Sequence, residues 1–184
     1  MGTSHLILGE TTDYITGQTI PDTDDERARQ KIAKLLVDEK GYAKEEVQAR
    51  RKITLTVDGK TGSVNVDFVV RIAGKPFIVI VFGPGSLVTR QRPTIAIARL
   101  IDEYVVPFSL ISNGQDAHIM DTVLGNIIGH GLDQIPSREE ALKKINDIQY
   151  THLSENRREK EERILFVMNV LTEKECDDYT CSLP

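Results

Sequence analysis

Asp67 stands inside the apolar run Val64-Asn65-Val66-Asp67-Phe68-Val69-Val70. A carboxylate taken from water without a partner is strongly disfavoured, so Asp67 must be ion-paired, hydrogen-bonded or open to a cleft. Strand alternation puts Asn65 on the same face, where its amide oxygen could serve as one further ligand. Glu26 is the second acid in a patterned position. It closes Thr23-Asp24-Asp25-Glu26, a capping box in which Thr23 caps the first helical amides and Glu26 reaches back to the Thr23 N–H. The cations that could meet a phosphate are Arg50-Arg51-Lys52 and the scattered Arg90, Arg92 and Arg99, and each set reads first as a solvated surface. Cys176 and Cys181 form a terminal C-x4-C, but structural zinc takes four ligands. His5, His118, His130 and His152 form no H-x3-5-H pair to complete such a site; a disulfide stays open beside it, and free thiols are the expected state in a reducing cytoplasm. Gly83-Pro84-Gly85 lacks the Lys-Ser/Thr of a phosphate-binding loop and reads as the end of a strand.

The elements that must position these residues follow from hydrophobic period and turn chemistry. The Thr23 helix carries Ala28, Ile32, Leu35 and Leu36 on one stripe and stops at Gly41. Val47–Val57 ends in clean alternation, with Ile53, Leu55 and Val57 on one face. Asp58-Gly59-Lys60-Thr61-Gly62 turns the chain into the strand that carries Asp67, and Ala73-Gly74-Lys75-Pro76 turns it again. Phe77–Phe82 is apolar on both faces, as a central strand should be. A helix is expected over Thr94–Tyr104, then short strands at Phe108–Ile111 and His118–Met120. A second capping box, Ser137-x-x-Glu140, starts a helix to about Ile148, and a charged helix spans Glu155–Thr172. The expected fold is α/β: a mixed sheet with an antiparallel meander, flanked by helices.

The 184 residues suffice for one core. Residues 1–21 are expected to be a lead-in, 22–150 the domain, and 151–184 a C-terminal helix and tail. The formal net charge of −5 argues against tight non-specific binding to nucleic acid, though not against a local basic patch. No apolar run is long enough to cross a bilayer, and Met1–Glu10 has no basic flank. A cytoplasmic location is expected.

The ordered words Asp22-Thr23-Asp24-Asp25-Glu26, Arg29-Gln30, Glu39-Lys40-Gly41-Tyr42, Val66-Asp67-Phe68-Val69-Val70 and Gly74-Lys75-Pro76-Phe77-Ile78-Val79-Ile80 carry a resemblance. Ala98-Arg99-Leu100, Val106-Pro107-Phe108, Ser112-Asn113-Gly114 and Asp121-Thr122 continue it in order. From about Asp22 to Ile145 the chain resembles the N-terminal nuclease domain of type I restriction enzyme R subunits, of the PD-(D/E)xK superfamily. The resemblance implies a restriction-endonuclease-like fold in which two acids hold Mg2+ and a lysine two residues beyond the second acid assists the attacking water. Asp67 falls on the metal aspartate and Glu26 on the supporting helix acid. The Glu and Lys positions fall on Val81 and Gly83, which can neither bind a hard cation nor carry charge. The Gln-x-x-x-Tyr element falls on Pro93 and Ile97. Asp67 and Glu26 are therefore expected to form a relic site with at most a weak metal at Asp67. An ion pair of Asp67 with Arg99 or Lys52 is the alternative.

The expected function is a nuclease-fold module that does not cut, with weak DNA contact through Arg50, Arg51, Lys52, Arg90, Arg92 and Arg99, or a regulatory role toward protein partners or a second copy. No cofactor is expected, and Mg2+ only if the centre is active. One rival is an active Mg2+-dependent endonuclease rebuilt around Asp67 and Glu26 with Arg90 or Arg92. Another is a homo-oligomeric structural protein without nucleic acid.

Overall fold

A computed structural model describes residues 7–171 of the chain. His5, Thr172, Cys176, Cys181 and the polar tail lie outside the described residues. The stretch read as a lead-in contains a two-stranded antiparallel hairpin, β1 (Gly9–Thr12) and β2 (Thr19–Asp22). Thr23 follows with extended backbone and accepts the Glu26 amide at 3.1 Å, starting α1 (Asp24–Lys34). The helix widens to a π-turn over Leu35–Glu39 and stops at Gly41, whose φ of +77° suits glycine.

Three strands then form a meander: β3 (Val47–Val57), β4 (Lys60–Ile72) and β5 (Lys75–Phe82). Asp58-Gly59 and Ala73-Gly74 link them as two-residue loops with positive φ at both positions, the geometry that matches strand twist. α2 (Val88–Leu100) crosses the sheet, so β6 (Phe108–Ser112) returns parallel to β5. β7 (Ala117–Asp121) and β8 (Ile127–His130) complete a six-stranded mixed sheet of order β3-β4-β5-β6-β7-β8. α3 (Arg138–Lys144) starts at the expected box, with the Glu140 carboxylate accepting the Ser137 N–H at 2.7 Å. α4 (Glu155–Leu165) continues as a π-helical turn to Leu171. The mixed α/β architecture is the expected one. No helix among the described residues is long and apolar enough to cross a membrane.

α2 begins six residues before the expected Thr94. Pro93 sits inside it, and the missing proline N–H removes only one bond of the ladder while its buried ring packs inward. β8 was not expected: its four residues include Gly129 and show no alternation.

The sheet is covered on both faces. Ile32 and Ala33 of α1, Leu36 of the π-turn after it and Ala141 of α3 pack on Val70, Ile78, Ile80 and Leu110. Ala96, Ile97 and Leu100 of α2 and Leu165 of α4 pack on Ile53, Leu55, Val66 and Val79. Each large aliphatic side chain buried this way contributes about 1.5–3 kcal/mol before chain entropy is subtracted. This double cover explains why β5 is apolar throughout.

Candidate active site

Asp67 lies where β3 and β4 change faces. The ladder pairs Ala49 with Phe68 and Arg51 with Val66, and passes over Arg50 and Asp67 between them. Val47 and Ala49 pack in the α1 layer, whereas Ile53 and Leu55, at the same parity, pack in the α2 layer. On β4, Val64 and Val66 face the α2 layer and Phe68 and Val70 the α1 layer. Arg50 makes the switch with φ of +55°, a conformation that bulky side chains rarely adopt. Alternation runs from Val64 to Asp67, with Asn65 and Asp67 both on the α1 side, and breaks between Asp67 and Phe68. Asn65 is exposed, while the Asp67 side chain is only 14% exposed.

Both oxygens of Asp67 are engaged. Oδ1 accepts Arg29 Nε at 2.6 Å, and Oδ2 accepts the backbone N–H of Phe82 at 2.7 Å. Arg29 reaches over from α1 with its guanidinium carbon 5.1 Å from the centre of the Phe82 ring. The partner is thus neither Arg99 nor Lys52, which the sequence offered, but a residue one helix turn past Glu26. Burial pushes the Asp67 carboxyl above its ordinary pKa, and the charge of Glu26 adds to that; Arg29 and the Phe82 amide oppose without cancelling it.

Glu26 does not reach back to Thr23. Its carboxylate turns inward, and the residue is 6% exposed. Oε1 accepts Arg50 Nη2 at 2.6 Å and Gln30 Nε2 at 2.8 Å, and Oε2 lies 3.8 Å from Arg29 Nη1. The expected capping box is therefore half present: the hydroxyl caps, and the acid serves the interior.

A third acid joins this network, and sequence reasoning passed it over. Asp13, just after β1, is 2% exposed. Its Oδ1 accepts the N–H groups of Ile15 and Thr16, and its Oδ2 accepts Arg50 Nε at 2.9 Å. Burial pushes its carboxyl up, but the Thr16 amide, Arg50 and the Ile15 amide together hold it below the ordinary range. Gln30 ties the loop to α1 by accepting the Tyr14 N–H at 2.7 Å. Asp13 followed by a turn ending at Gly17 is an Asx-turn signature, the one signal in the sequence that could have drawn attention to it. Arg29 and Arg50 thus stand among Asp13, Glu26 and Asp67, separating the acids with guanidinium groups. Among the described residues, no three His, Cys, Asp or Glu side chains come together as a metal-holding group.

At the end of β5, Val81 packs against Leu87, Ile95, Ile111 and Met120. Gly83 is buried and donates its N–H to Ser112 O at 2.9 Å. A Cβ built on Gly83 would fall 2.7 Å from Arg90 Nη1 and 2.8 Å from Arg90 Cδ, so the Arg90 side chain lies across the glycine. Pro93 and Ile97 are buried on α2.

The six candidate cations are not gathered on one surface. Arg50 belongs to the acid network. Arg51 donates to Gln48 Oε1 at 3.0 Å and Ile101 O at 3.4 Å. Arg92 pairs with Glu161 at 2.6 Å. Arg99 is buried and donates to Thr122 O, Val123 O and Glu161 Oε1, which leaves no open edge for a phosphate. Lys52 and Arg90 are exposed, and neither is joined to an acid among the described residues.

No curated protein and no solved structure matches the chain. A model of the family described as type I restriction enzyme R protein N terminus matches residues 24–136, a span that runs from the start of α1 to the approach to α3. The stretch includes Glu26, Arg29, Arg50, Asp67 and the end of β5, so the acid network just described, apart from Asp13, falls within it. The chain belongs to the family of type I restriction enzyme R protein N-terminal domains.

Proposed function

We propose that this domain is a PD-(D/E)xK nuclease-fold module that has lost hydrolysis and touches DNA weakly. The observation that carries the reading is the state of Asp67: both its oxygens are taken, by Arg29 and the Phe82 amide, beside a strand end that offers only Val81 and Gly83. A divalent ion there would have to displace a guanidinium at 2.6 Å and would find no second acid on β5. Phosphodiester hydrolysis is among the slowest uncatalysed reactions and needs large stabilisation of the transition state. A site without an accessible metal ligand pair and without an amine for the attacking water lacks the means to supply it. Of the six candidates Lys52 and Arg90 remain for phosphate contact, and two such contacts on a chain of net charge −5 suit weak, salt-sensitive association.

A plasmid-nicking assay with Mg2+ or Mn2+ tests the reading. Wild type and Asp67→Ala are both expected to leave supercoiled DNA intact. Nicking by wild type that disappears in Asp67→Ala would establish the rival reading, an active endonuclease rebuilt around Asp67. One observation favours that rival: the Arg90 guanidinium occupies space next to Gly83, where the resemblance puts the lysine.

A further inference from the structure

His118 and His130 stand directly opposite each other on β7 and β8. Their ring centroids are 4.9 Å apart and their planes meet at 85°. β8 is the outermost strand, His130 is exposed and His118 half-buried. Gln91 of α2 reaches across, its Nε2 lying 2.7 Å from His118 Nδ1. Neither histidine takes part in the acid network.

We propose that His118 and His130 form a binding site for a divalent transition ion of the zinc, copper or nickel class, which clasps the outer strand β8 to β7. Opposed residues of an antiparallel pair have Cβ atoms about 4.5–5.5 Å apart. After a turn of the exposed His130 ring, one nitrogen of each imidazole can therefore meet an ion at about 2.0–2.1 Å. Neutral imidazole suits these ions and not Mg2+, whose preferred ligands are hard oxygens. Gln91 supplies outer support: a half-turn of its amide brings Oε1 to His118 Nδ1–H, which fixes the ring and leaves the Nε2 lone pair for the ion. Among the described residues no third His, Cys, Asp or Glu completes a larger ligand group, so water fills the remaining positions and the ion exchanges readily. The strand so fastened carries the exposed Ile127 and Ile128 at the open edge of the sheet. An ion there resists separation of β8 from β7 and keeps that apolar edge in register.

Calorimetric titration with ZnCl2 tests the site. The full chain is used with Cys176→Ser and Cys181→Ser, so that thiols do not compete. His118→Asn and His130→Asn are each expected to lower Zn2+ affinity about 10-fold or more, and Gln91→Leu about 10-fold, the usual effect of removing an outer partner. In the parent protein, Zn2+ is expected to shift the ring-proton resonances of His118 and His130 and to leave those of His152 in place. Histidine variants that bind Zn2+ as tightly as the parent would overturn the proposal. So would ring signals of His118 and His130 that do not move, a result independent of whether any variant folds.

Discussion

Arg29 decides what Asp67 can do. A buried carboxylate with one guanidinium and one amide is held firmly, yet burial still leaves its pKa above the ordinary value. A raised carboxyl pKa means the folded state binds more protons than the unfolded chain, so this group lowers stability as pH rises through the interval above about 3.9. Asp13 has the opposite sign: its lowered pKa contributes stability that is present above the ordinary carboxylate range and lost as pH falls through the lowered value. Asp67→Asn keeps an acceptor for Arg29 and removes the titration. Urea melts of this variant and wild type at pH 4 and pH 7 are expected to show the variant gaining relative stability at pH 7; an equal difference at both pH values contradicts the burial argument. That Asp67 needed a partner was legible in its apolar run. The identity of the partner was not, because Arg29 and Asp67 are 38 residues apart and meet only when α1 packs on the sheet. Glu26 misled for a related reason: a capping box and an inward acid have the same local sequence.

At the scale of elements, turns and periodic strands were legible because their signals are local. Asp58-Gly59 and Ala73-Gly74 set both hairpins, and Ser137-x-x-Glu140 set the start of α3. Elements whose reasons are tertiary were not. α2 runs through Pro93 because it is buried against the sheet, and β1 with β2 is anchored by Asp13 and Gln30 rather than by an apolar pattern. The face change at Arg50 and Asp67 breaks the period-two rule in both strands at once, and nothing in either strand's own sequence announces it. The contact between Arg90 and Gly83 joins α2 to the end of β5. A methyl group at Gly83 must push the flexible guanidinium aside. Gly83→Ala is expected to change stability by less than about 1 kcal/mol while weakening DNA binding as much as Arg90→Ala does. Filter binding of both variants at low salt checks this, and a Gly83→Ala protein that binds like wild type removes the role assigned to that seat.

For the whole molecule, the double-covered sheet places the acid network at one end, where α1, the N-terminal hairpin and β3, β4 and β5 meet. Most of the candidate cations serve that framework: Arg50 bridges Asp13 and Glu26, Arg92 and Arg99 fasten α4 through Glu161, and Lys52 and Arg90 remain open. With about two phosphate contacts, the logarithm of DNA affinity should fall with the logarithm of salt concentration at a slope of about −2. A slope several times steeper would mean phosphate contacts well beyond Lys52 and Arg90. The most direct test of the acid centre is paramagnetic broadening of backbone amide resonances by Mn2+. The amides of Glu26, Asp67 and Phe82 are predicted to keep their intensity at Mn2+ concentrations that broaden exposed acidic sites. Selective loss of those three signals, restored in Asp67→Ala, would mean that a divalent ion displaces Arg29 and that the centre holds metal after all.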